Sequence, residues 1–146
     1  MSDSLHFGLF FVGIFLLTGA LVVGVGALEY EVASLGTAEE IPEDTQSLVS
    51  FGDLSERDQR TVDRAIAGEK IVVRDPRDLP GPRKTKGKFA VKRGGETYLV
   101  TRRIFFNWRT TFGLAAIGML VGGVVTLSEA IRRHHFPHRS VVWTTR

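Results

Sequence analysis

The chain has 146 residues, no cysteine and a formal net charge of +3, which excludes disulfide staples and cysteine metal centres. Residues 7–28 and 110–128 carry no charged side chain, and the polar stretch between them is neutral overall, with 14 basic and 14 acidic residues across 29–108. That leaves room for one small domain and none for a large enzyme core.

The first apolar stretch has 22 residues and the second has 19. At about 1.5 Å per residue they extend roughly 33 and 28 Å, against a hydrocarbon core of about 30 Å, so both are long enough to span a bilayer. The chain therefore reads as a membrane α-helical hairpin carrying a small α+β loop domain. Residues 1–6 contain no Lys or Arg, and the stretch that follows is longer than a signal core. Both points favour an uncleaved anchor over 7–28, although Val25-Gly26-Ala27 offers the small residues a signal peptidase cuts after. Ala20-x-x-x-Gly24 puts two small residues on one face of that helix, where a neighbouring backbone can approach.

Residues 29–47 follow as an expected acidic linker. The segment 29–56 holds eight acids and no Lys or Arg, and Pro42 interrupts it. A small α+β domain is expected over 48–103. Residues 48–51 form a short strand, and Ser55 caps a helix over 56–67 with Asp58 in its third position. Gly68 stops that helix. A second strand at 71–74 leads into a turn-rich connection, and Gly94-Gly95 then divides 88–101 into a tight hairpin. Counting outward from the turn sets Arg93 against Glu96, Val91 against Tyr98 and Phe89 against Val100, with an apolar face towards the helix and a mostly polar face opposite. The expected core is Val49, Phe51, Leu54, Val62, Ile66, Val72, Phe89, Val91, Tyr98 and Val100.

The run Phe51-Gly52-Asp53-Leu54-Ser55-Glu56-Arg57-Asp58-Gln59, then Ala65-Ile66-Ala67-Gly68, Leu79-Pro80 and the Gly95-x-x-Tyr98 hairpin resembles a small domain of unknown function found in proteins of halophilic archaea. The resemblance covers residues 49–101. It implies a haloarchaeal source and a membrane-associated setting, and it implies no reaction.

The loop contains neither His nor Cys and no nucleophile, phosphate-loop or metal-ligand pattern, so no catalytic, cofactor or metal residue is assigned. Arg83, Lys84, Lys86 and Lys88 form a basic run with two readings, a solvated turn or a contact with anionic headgroups. Headgroups are favoured over nucleic acid because no aromatic side chain is interleaved and the segment is tethered to a bilayer. Residues 104–131 are expected as an interfacial segment, anchored by Phe105, Phe106 and Trp108, running into the second membrane helix. Within it Gly118-x-x-x-Gly122, extended by Ala115 and Thr126, is a close-packing face. It serves either a subunit contact or the packing of the two spans within one chain.

Glu129 has Arg132 and Arg133 three and four residues on, the spacing of ordinary helical ion pairs. Arg132 and Arg133 are also headgroup candidates, at the start of a basic tail over 132–146. His134, His135 and His138 approach metal-ligand spacing, but Pro137 breaks the helix that makes the spacing useful; headgroup contact or a pH-sensitive flank competes. Arg132, Arg133 and Arg139 follow the second span, while only acids follow the first, which puts both termini in the cytoplasm and the loop domain outside. Together these features describe a non-enzymatic, multi-pass protein of the cell membrane that presents a small domain for protein interaction or assembly. Its partners would be membrane lipid and a protein, or a second copy met through the helices. The alternative is a small oligomeric transport or pore-forming component, for which Thr18, Thr111, Thr126 and Ser128 supply little polar lining.

Overall fold

The computed structural model describes residues 2–135 and divides into two compact units. The first pairs α1 (Ser2–Val25) with α3 (Thr111–His135); the second, Leu28–Phe106, is a sheet domain. Two long apolar helices thus flank a mixed five-stranded sheet that carries one short helix. The strands are β1 (Leu28–Thr37), β2 (Thr45–Ser50), β3 (Ile71–Val73), β4 (Gly87–Arg93) and β5 (Glu96–Phe106), with α2 (Glu56–Ile66) between β2 and β3. Their order across the sheet is β2-β4-β5-β1-β3. β2 runs parallel to β4 and every other neighbour pair is antiparallel.

The hairpin forms in the register that the sequence sets, with Arg93 opposite Glu96, Val91 opposite Tyr98 and Phe89 opposite Val100. Gly94 and Gly95 adopt φ of +59° and +82°, the left-handed conformations a two-residue turn demands. α2 also forms as expected. The Ser55 hydroxyl accepts the Asp58 amide at 3.2 Å and Gly68, at φ +95°, ends the helix.

The acidic linker is a correction. Its first half is β1, paired with β5 from Leu28↔Phe106 to Thr37↔Tyr98, so the domain begins at residue 28 rather than 48. Tyr30 and Val32 alternate towards the core, while Glu29 and Glu31 face the other way and meet cations, Glu31 with Arg103 at 2.7 Å and Glu29 with Arg74 at 3.7 Å. The negative charge that suggests a linker is thus cross-strand pairing. The other boundary moves too, since residues 104–106 complete β5 instead of opening an interfacial segment.

The core gathers Val32, Leu54, Val62, Ala65, Ile71, Leu79, Phe89, Val91 and Val100, with Val49, Phe51 and Ile66 packed against it. Two expected members fall outside. Val72 is 49% exposed because its neighbours Ile71 and Val73 take the inward positions of β3, and Tyr98 is half-buried with its hydroxyl donated to Glu96 at 2.6 Å. On the opposite face Lys88, Lys92 and Thr97 are joined by Ala90 and Leu99, which are buried, so that face is less polar than the sequence suggests.

In the helix pair the polarity is inverted. Gly13, Ala20 and Ala27 on one side and Ala116, Gly123 and Ala130 on the other are buried, each set at intervals of seven residues. A methyl group added to Gly13 would sit 3.3 Å from the Gly123 carbonyl oxygen, and one added to Gly123 would sit 3.1 Å from that of Gly13. The backbones approach closely there, along a seam with the seven-residue repeat of a left-handed helix pair. The large side chains point outwards; Phe15 is 74% and Leu21 75% exposed.

Candidate functional site

The residues proposed for helix packing separate into two groups. Ala20 lies in the seam between α1 and α3, and Gly24 beside it is half-buried. Ala115 and Gly118 are exposed, and a methyl group at Gly118 would meet nothing within 4 Å. Gly122 is only grazed, by Leu16 Cδ1 at 3.7 Å from its added methyl position. The helices of one chain therefore pack through the adjacent Gly123 and leave the GxxxG face uncovered. Thr126 on that face donates its hydroxyl to the Gly122 carbonyl at 2.7 Å, within its own helix. Gly13 is among the small residues of the first span that the sequence offers for close helix approach, whereas a search for a spacing of four misses Gly123; the legible signal is the spacing of seven in Ala116, Gly123 and Ala130.

The basic run is organised by a residue the sequence did not single out. Arg102 lies in β5 opposite Val32 of β1 and Gly87 of β4, and is 1% exposed. Its guanidinium donates to the carbonyls of Pro80 at 3.0 Å, Gly87 at 3.4 Å and Arg83, and to Gln46 Oε1 at 2.7 Å. It also stacks 4.8 Å from the centre of the Phe89 ring. Burial pulls its pKa down and the Asp58 carboxylate opposes that pull. Asp58 in turn accepts the Gly81 amide at 3.1 Å and Lys84 Nζ at 3.0 Å, so its carboxylate fastens the loop instead of completing a capping box. Gly81 holds φ +96°, and any side chain there would press on Arg102 and Phe89 at 3.3 Å. Gln46 Nε2 donates to the Lys86 carbonyl at 2.9 Å. The backbone of 79–87 is thus clamped from within by one arginine, one aspartate and one glutamine.

That clamp sorts the headgroup candidates. Lys84 is held by Asp58 and by the Leu79 carbonyl at 2.6 Å, and Lys88 by Asp44 at 2.6 Å. Arg132 and Arg133 both grip Glu129, at 2.7 and 2.6 Å. Arg83 and Lys86 are exposed and have no acidic partner among the described residues, so they are the two cations of the run left to meet an external anion. His138 and Arg139 lie outside the described residues.

A family of unknown function, DUF7979, matches residues 29–101, which is 73 of the 146 residues. The chain belongs to this family. The matched stretch opens in β1 and closes in β5, so the family unit is the sheet domain, and the sequence resemblance over 49–101 had missed its first strand. Gln46, Asp58, Gly81 and Gly87 lie within the DUF7979 stretch and Arg102 is the first residue past it. Both long helices lie outside. Neither the curated proteins nor the solved structures include a match to this chain.

Proposed function

We propose that this chain is a two-pass membrane anchor that holds its DUF7979 domain at the bilayer surface for interaction or assembly with a protein partner, and performs no chemistry of its own. The observation that carries the reading is the inverted helix pair. α1 and α3 bury Gly and Ala and display Phe, Leu and Val around their outer surface. In water such a surface would aggregate; in hydrocarbon it costs nothing, and close packing of small residues is what holds helices together there. Two helical stretches, Ser4–Val25 and Thr111–His135, are long and apolar enough to cross. Arg132 and Arg133 at the end of α3 favour a cytoplasmic location for both termini and an external domain, because orientation follows Lys and Arg and is little affected by the Glu129 they grip. The halophilic-archaeal source suggested by the sequence resemblance fits this reading and adds no activity to it.

The exposed Ala115 and Gly118, beside the half-buried Gly122, support assembly through the helices, and the exposed Arg83 and Lys86 support contact with anionic headgroups in the leaflet they face. Too weak to hold a free domain, that attraction matters for one already tethered. Extraction of membranes with alkaline carbonate, followed by protease treatment of intact cells bearing a tag between Glu39 and Glu40, tests the proposal. The tag belongs there because Thr45 starts β2. Retention in the pellet with cleavage in intact cells is expected. Release into the supernatant would sink the anchor, and protection until the cells are opened would reverse the orientation.

A further inference from the structure

One end of the helix pair brings together three histidines that are far apart in the sequence. His6 from α1 and His134 and His135 from α3 line a single cavity of about 570 Å³, a volume within the range of ordinary ligand sites. His134 and His135 stand edge to face with ring centres 5.0 Å apart. The rest of the lining is hydrocarbon: Phe7, Phe10, Ala130 and Ile131. Ala130 belongs to the small-residue seam, and its short side chain leaves the space open. Among the described residues no three His, Asp or Glu side chains are grouped as a metal ion requires, and a hydrocarbon wall offers a metal ion nothing. An amphiphile uses both parts of such a lining.

We infer that this cavity is a binding site for an anionic phospholipid, with its phosphate against the imidazoles and its upper acyl chain between Phe7, Phe10 and Ile131. The inference rests on the membrane-anchor reading, under which the ends of the two helices lie at headgroup depth. Charge complementarity supports it. The acid on this part of α3, Glu129, has both carboxylate oxygens engaged by Arg132 and Arg133, so it does not compete with a phosphate for the imidazoles. An imidazole N–H donates a hydrogen bond to a phosphate oxygen, and the phosphodiester is anionic. Among the side chains the structure describes, the charged and titratable groups at this end are His6 on α1 and Glu129, Arg132, Arg133, His134 and His135 on α3, and Asp3 precedes His6 by three residues in α1.

The test uses the full chain in nanodiscs of digalactosyldiacylglycerol, which is uncharged and has no phosphate, doped with phosphatidylglycerol, with the lipids retained by the protein read by native mass spectrometry. The expected result is a preference for phosphatidylglycerol of about tenfold, the factor one charge-assisted hydrogen bond supplies. His6→Gln, His134→Gln and His135→Gln combined should bring the two lipids to parity. Ile131→Trp, which fills the cavity from its exposed side, should reduce retention of both, and an unchanged circular dichroism spectrum checks that each variant folds. Equal retention of the two lipids by the native chain, or a preference that survives the triple substitution, overturns the site. Both results leave the anchor intact, because the protein is then still in the disc. Failure to enter the disc at all would instead refute the anchor, and the site with it.

Discussion

The helix pair and the sheet domain solve the packing problem in opposite ways. The pair buries Gly13, Ala20, Gly123 and Ala130 and exposes its phenylalanines, leucines and valines; the domain buries Phe89, Leu79, Val91 and Val100 and exposes charge. In the domain, water drives burial, and cohesion grows with the apolar area hidden. On the membrane-anchor proposal no such force acts on the pair, and what matters there is how closely two backbones approach. The exceptional residues follow the same division. The domain tolerates one fully buried arginine because five polar and aromatic groups surround it, whereas the pair keeps its ionic residues at helix ends, Asp3 at the start of α1 and Glu129, Arg132 and Arg133 near the end of α3.

The comparison breaks most sharply at Arg102. Replacing it with Met removes the side-chain donor to the carbonyls of Pro80, Arg83 and Gly87 and to Gln46 in a largely buried site, and should destabilise the domain by about 3 kcal/mol. Urea unfolding of the full chain in nanodiscs, followed by amide exchange in β4 and β5, measures it, with no change expected in the helix pair. Arg102→Lys should recover little, since an ammonium cannot reach four acceptors in a planar fork. A domain indifferent to both substitutions would mean that the clamp is ornamental.

The matching change in the pair is smaller. Gly123→Leu forces a side chain into Leu17 and the Gly13 backbone and should cost about 2 kcal/mol, read as a lower melting temperature in detergent. Gly118→Leu enters open space and should leave that melting temperature unchanged while altering the migration of any native complex built through this face. Equal effects of the two substitutions would contradict the seam.

Much of this was open to reading in the sequence, for identifiable reasons. The hairpin and α2 announce themselves through local chemistry: two glycines at a turn, a serine cap, a glycine stop. β1 does not, because its partner β5 lies some seventy residues away and its glutamates look like a solvated linker until Arg103 and Arg74 are beside them. Arg102 was passed over for a related reason. A charged side chain is assumed to face water, yet strict alternation from Val100 already placed it on the core face. In α3 the familiar four-residue glycine motif drew the eye from the seven-residue seam one position away.

The smallest effect concerns pH. The hydrogen bond from the Tyr98 hydroxyl to Glu96, reinforced by burial and by the carboxylate charge, holds the Tyr98 pKa above the usual phenol value. Because the folded value is raised, the bond's contribution is present below about pH 10, the unfolded phenol value, and is lost as pH climbs through the folded one. Ultraviolet titration in a Tyr30→Phe background should show Glu96→Gln bringing the transition down. An unmoved transition would mean that the pair is not formed in solution.

The sheet order has a consequence for biogenesis. β1 leaves the ribosome directly behind α1, but its main neighbour β5 is among the last parts of the domain to be made, immediately before α3. At about 5–20 residues per second, β1 waits several seconds for β5, with that edge bare even after β3 has been made to pair with the other. The domain closes only as the second long helix begins to emerge, so translation couples the completion of the sheet to the arrival of α3.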